Sequence, residues 1–191
     1  MSGNRATAVR YRIDPTASRF VVQATASGLL SAFGHNPTIA ICGFGGDVRF
    51  IPNTLEEASL LMLIKSDSLA VVDKVSAKDR LEIERAMRED VMEIARYPEI
   101  VFMTTNVRAN PLTENLYQVL ITGKLTLHGV TRDCPLDAQV TLNGDSLHAQ
   151  GEFKLRQTDY GIKPTSVAAG VLKVKDELQF PFDIEAQKEE K

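Results

Sequence analysis

The chain has 191 residues, enough for one domain with a sizeable core, because about 70% of the unfolded surface can be buried at this length. Apolar residues make up 43% and charged residues 25%, both near the globular average. The net charge of −3 argues against a nucleic-acid partner, and no apolar run reaches the ~20 residues of a spanning helix, so no stable membrane insertion is expected.

Residues 1–10 read as a loose tail. The opening MSGNRATAVRYRID has no apolar core, so no signal peptide is expected and the expected location is cytoplasmic. Strand material begins at Tyr11–Ile13, and Asp14-Pro15-Thr16 is a turn signal. Phe20, Val22 and Ala24 then alternate with Arg19, Gln23 and Thr25, a period of two that gives one dry and one wet face. The loop Gly28–Pro37 carries Leu29, Leu30 and Phe33, which need cover, and it is expected to close one end of a barrel. Ile39–Phe50 reads as one long strand, with Gly43, Gly45 and Gly46 marking a bulge or bend. Ala58–Lys65 is apolar on both faces. One face is expected to look into a barrel, and the other to be covered by a helix or a partner chain.

Ser76 followed by Asp79 is a capping-box-like helix start. From there Ile83, Met87, Val91 and Ile94 fall on one helical face, while Lys78/Glu82, Arg80/Glu84 and Glu84/Arg88 form i,i+4 pairs on the wet side. The spacing predicts one helix over 76–95, stopped at Tyr97-Pro98, and assigns it to cover the second face of Ala58–Lys65.

Ile100–Val107 is the next strand, and Asn110-Pro111 a turn. Two long strands follow from Tyr117 to Leu142, joined at His128-Gly129. Asn143-Gly144 is a strong hairpin signal. Ser146–Gln157 alternates again, as do Leu178, Phe180, Phe182 and Ile184, and residues 187–191 form a polar tail. The pattern predicts an all-β, antiparallel barrel of about eight strands with one inserted helix, formed by residues 11–186.

No two of His35, His128 and His148 lie within four residues of each other, so no local metal-ligand pair is present and no metal is expected. No glycine-rich phosphate loop precedes a helix, and no cofactor is expected. His148 falls on a wet phase, and His128 sits at a turn. Cys42 and Cys134 read as small buried hydrophobes. On the dry phases Gly123, Ala138, Ala149 and Gly151 leave room, whereas Phe44, Phe102, Phe153 and Phe180 are large enough to fill it. The interior is therefore either filled or a ligand cavity.

Four blocks bear on that alternative: GFGGDVRF (Gly43–Phe50), YPEIVF (Tyr97–Phe102), LTLHGVTR (Leu125–Arg132) and LRQTDYGI (Leu155–Ile162). In this order and spacing they resemble the YceI-like family of lipid-binding, lipocalin-like barrels, over residues 11–186. Many members of that family carry an export signal, which is not expected here. His35 resembles a histidine that the family places shortly before its glycine-bearing strand. The resemblance implies non-catalytic binding, carriage or sequestration of a long apolar lipid: a polyisoprenoid, a prenyl quinone, or a fatty acid or amide. At about 0.8 kcal/mol per buried methylene, such a ligand needs no polar motif. The expected lining is Phe20, Val22, Phe44, Met62, Phe102, Ile121, Leu125, Leu136, Val140, Phe153 and Phe180, with His35, Asn36 and Gln157 for a head group. Two other readings compete: a barrel isomerase or hydrolase using His35, and a protein-interaction module. A homodimer is left open.

Overall fold

In the computed structural model the described residues are 7–27, 37–52, 54–164, 166–167 and 172–189. The period-two segments become strands: β1 (Val9–Ser27), β2 (Thr38–Ile41), β3 (Phe44–Ile51), β4 (Thr54–Lys65), β5 (Leu69–Val71), β6 (Glu99–Pro111), β7 (Leu116–Leu127), β8 (Val130–Asn143), β9 (Ser146–Arg156), β10 (Ser166–Val167) and β11 (Leu172–Lys188). The eight long ones form a closed antiparallel barrel in the order β1-β3-β4-β6-β7-β8-β9-β11, because β11 pairs back onto β1. That seam runs from Tyr11↔Lys188 to Ser27↔Lys173. Closure leaves no free edge among these strands and puts one phase of each inside.

The turn expected at Asp14-Pro15-Thr16 is a bulge inside β1, where the register against β11 slips between Asp14 and Arg19. The local turn chemistry is still present. Asp14 Oδ1 accepts the Thr16 N–H at 2.9 Å and its hydroxyl at 2.6 Å. Both flanks stay paired with β11, so the chain swells outward instead of reversing.

The strand expected over Ile39–Phe50 is two strands, split at Cys42-Gly43. β3 continues down the barrel beside β4, while β2 leaves with β5 and keeps its pairing to the upper part of β1. At the kink Lys65 N–H donates to Gly43 O at 2.8 Å, and Cys42 N–H donates to Ser68 O at 3.2 Å. A Cβ on Gly43 would lie 2.7 Å from the Ser68 Cβ, so only glycine fits this crossing. The kink also turns Cys42 outward, and it is exposed where burial was expected; Cys134 is buried, and both thiols are free.

The helical segment is an α-helix, α1 (Ala77–Ala86), that runs on into a π-helical turn over Met87–Val91. Ser76 is the N-cap and accepts the Asp79 N–H at 3.1 Å. The segment does not cover the outer face of β4. Leu61 and Leu63 are 41% and 46% exposed, beside Met103 at 53%. It lies instead against β5, an edge strand. Glu84 accepts the Val71 N–H at 3.1 Å, and the Arg80 guanidinium donates to Val71 O and Asp73 O. Arg80 and Glu84, expected to pair with each other, both bond to the backbone. The outer N–H and C=O of an edge strand are bare, and a charge-assisted hydrogen bond to them is stronger than an exposed i,i+4 pair. The expected Glu84–Arg88 pair forms, at 3.6 Å.

The opposite end of the barrel is plugged. Tyr11 stacks on Phe50 with centroids 5.4 Å apart, and its hydroxyl donates to Gly144 O at 2.8 Å. Val107, Val119 and Val140 are buried in the same core cluster as Tyr11 and Phe50.

Candidate functional site: an apolar cavity under the helix

Between that plug and the helix lies a cavity of about 730 Å³. Alternating apolar side chains of the barrel strands form its wall, and Ile83, Met87, Val91 and Met92 of the helical segment form its roof. Three rings share one side: Phe153 stacks on Phe180 at 4.8 Å, and Phe20 lies 6.4 Å from Phe153.

Of the expected lining, Phe20, Val22, Met62, Phe102, Ile121, Leu125, Leu136, Phe153 and Phe180 reach the cavity, and so does Gln157. Two positions, Phe44 and Val140, are not part of that lining. Phe44 is buried, edge-on to the Phe20 ring at 5.8 Å. Val140 is buried, paired across the sheet with Tyr117 and Ala149. Alternation tells inside from outside but not which inward side chains reach the cavity. His35 and Asn36, and the loop expected to close the barrel apart from Pro37, lie outside the described residues. Pro37 itself lines the cavity.

The four small inward residues divide evenly. Ala138 and Ala149 face the cavity. The space beside Gly123 is taken by the Phe102 ring, 2.3 Å from where a Cβ would sit, and that beside Gly151 by the Phe182 ring, at 2.6 Å.

The polar side chains in the described wall are Asp73, Lys74, Gln157 and the Cys134 thiol. Gln157 is placed by a short 3₁₀ turn, Gln157–Tyr160, which is pinned to β11. Thr158 gives its N–H and its hydroxyl to Asp176 at 2.9 and 2.7 Å, and these bonds hold the Asp176 carboxyl below its usual range. The Gln157 amide donates to Lys175 O at 3.0 Å. Burial pushes the Cys134 thiol up to about 11.

Three of the four sequence blocks meet at this end. Tyr97 rests on the His128 ring at 4.3 Å, Ser66 N–H donates to Pro98 O at 2.9 Å, and Arg132 donates to Asp159 O. A sequence model of the YceI-like domain matches residues 11–186. The chain belongs to the YceI-like family. Other comparisons agree with this. A UPF0312 protein of Pseudomonas savastanoi pv. phaseolicola is 28% identical over 177 residues, covering 87% of this chain and 84% of that protein. The YceI-like barrel also superposes on the crystal structure of BcnA from Burkholderia cenocepacia with a TM-score of 0.70 at 20% identity, covering 92% of this chain and 99% of that one. A structure described as a polyisoprenoid binding domain from Saccharophagus degradans, implicated in plant cell wall breakdown, gives 0.68 at 17% identity, with coverages of 94% and 98%.

Sequence reasoning missed two features of this YceI-like chain. The apolar helix face was legible from its spacing but was assigned to the outside of β4, not to the cavity roof. On the outer wall, His148 Nε2 lies 2.8 Å from Asp183 Oδ1, and with Glu185 these residues bring three potential ligand atoms within 4.8 Å of one another. The cross-strand register His148↔Glu185 makes that cluster, and no local spacing signals it.

Proposed function

We propose that this protein binds the tail of one long apolar lipid inside its barrel and performs no covalent chemistry on it. The observation that carries this reading is the cavity itself: about 730 Å³, with a described wall that is apolar except at Asp73, Lys74, Gln157 and Cys134. At about 30 Å³ for each water-sized group, 730 Å³ admits a chain of roughly two dozen carbon atoms. Each methylene taken from water contributes about 0.8 kcal/mol before ordering costs, so apolar contact alone suffices for binding. The polyisoprenoid binding domain of Saccharophagus degradans, whose fold is similar, supports the same class of ligand. The polar groups of the wall support a carrier more than an enzyme. The Cys134 thiol stays protonated at neutral pH, and the Gln157 amide is bonded to backbone.

The test is organic extraction of the purified protein followed by mass spectrometry, then addition of lipid to the delipidated chain. A ligand that binds only the folded state adds about 2.7 kcal/mol of stability at a hundred times its Kd. A prenyl quinone or a long-chain fatty acid is therefore expected to raise Tm. The reading fails if isoprenoids, fatty acids and fatty amides all leave Tm unchanged.

A further inference from the structure

The cavity wall is sparing with charge, and where it places charge is informative. Among the described lining residues only Asp73 and Lys74 carry a charged side chain, and both lie in the segment joining β5 to α1. Asp73 is already committed. Its Oδ2 accepts the Thr38 N–H at 2.7 Å, and its backbone carbonyl accepts from Arg80 at 3.1 Å. The neighbouring charges of α1 are committed as well: Arg80 to Val71 O and Asp73 O, Glu84 to Val71 N–H and to Arg88. Lys74 is different. It is exposed, yet it lines the cavity, and no carboxylate among the described residues pairs with it. A lysine in this position lays its methylene stem along apolar surface and holds its ammonium in water, which places a positive point charge at the rim of an apolar chamber.

A neutral tail draws no benefit from such a charge. An amphiphile with an anionic end does, because its tail fills the chamber while its head stays in water beside the ammonium. Resting on the lipid-binding reading, we propose that the cavity prefers single-tailed anionic amphiphiles, with a carboxylate or phosphate head held at Lys74. A half-hydrated ion pair of this kind is worth a few-fold in affinity, not orders of magnitude.

The test uses the delipidated full-length chain and matched ligands, titrated calorimetrically: palmitic acid against hexadecanol and methyl palmitate, and geranylgeranyl phosphate against geranylgeraniol. The anionic member of at least one set is expected to bind about threefold or more tighter than its neutral partners, a margin that shrinks as salt rises. Which set shows the margin identifies the head as carboxylate, phosphate or either. Lys74→Gln should remove the margin and leave the alcohols unchanged, and Lys74→Arg should keep it. Equal binding of acid and alcohol by the unmodified protein overturns the proposal while leaving lipid binding intact. So does an equal loss for all ligands in Lys74→Gln. Failure of every amphiphile to bind overturns the lipid-binding reading and this proposal together.

Discussion

Glu93 and His128 are the two non-glycine residues with left-handed backbone among the described residues, at φ 45° and 52°, and they are bonded to each other at 2.7 Å. One ends the helical segment and the other makes the β7–β8 turn. Each conformation is locally unfavourable for a side chain with a Cβ, by roughly 1–2 kcal/mol, and the contact between them offsets part of that cost. Tyr97 on the His128 ring completes the joint, and Gly129 (φ 75°) leaves its Tyr97-facing side bare, where a Cβ would meet that ring at 2.6 Å.

Glu93→Ala removes the bond but keeps the strained backbone, and leaves a mostly buried imidazole without its partner. It should cost on the order of 1–2 kcal/mol in urea denaturation. Glu93→Gly loses the same bond but relieves the left-handed residue, so it should be the more stable of the two by about 1 kcal/mol. The reverse order would show that the backbone at 93 is not strained.

Ala138→Phe and Ala149→Phe each place a ring in the cavity. Because the space is present, each variant should fold with a penalty near the lower end of the usual overpacking cost of about 1–3 kcal/mol. Both should lose the Tm gain from added lipid. A variant that folds and still gains Tm would place the ligand elsewhere.

Alkaline pH should destabilise the fold through two buried groups. Burial pushes the Cys134 thiol from 9.0 to about 11 and the Tyr160 hydroxyl from 10.0 to about 12. Both are neutral when protonated, and the unfolded chain releases these protons first. The folded state therefore binds more protons between the unfolded and folded values, and stability falls as pH rises through that window. The loss approaches roughly 1.4 kcal/mol for each unit of displacement. Equilibrium denaturation across pH 8–11 on the unmodified protein and on Cys134→Ala should show a shallower decline in the variant. Parallel curves would remove Cys134 from the explanation.

Arg80→Ala and Glu84→Ala strip the hydrogen bonds that tie α1 to Val71. The barrel ladder is untouched, so global stability should drop by only about 1 kcal/mol each. Amide hydrogen exchange should nevertheless accelerate over residues 71–91, because local opening of the roof becomes easier. Uniform acceleration across β6–β9 would mean that roof and barrel open as one unit.

The barrel and its one helical insertion were readable because inward Phe20, Val22, Ile121 and Leu125 keep a strict period of two, and Ile83, Met87 and Val91 do not. What escaped was relative position. Asp14-Pro15-Thr16 spells a turn, and only the pairing on both flanks shows it to be a bulge. Arg80 and Glu84 look like partners on a helix until the bare edge of β5 competes for both. Val140 has the inward phase without lining the cavity, and Lys74 has no pattern at all, because a single charge at a rim is set by tertiary placement.

The β1–β11 seam carries a further consequence, for how the chain reaches its fold. Tyr11 pairs with Lys188 and Ser27 with Lys173, so the barrel cannot close until its last strand exists. Until then β1 presents a long unpaired edge and the future chamber stands open to water. Contacts this distant in sequence make closure late and slow compared with the local hairpins β6–β7, β7–β8 and β8–β9. On the lipid-binding reading, a tail of the right length arriving during that interval meets an open wall of apolar side chains, and assembly of the chamber around it competes with filling it afterwards.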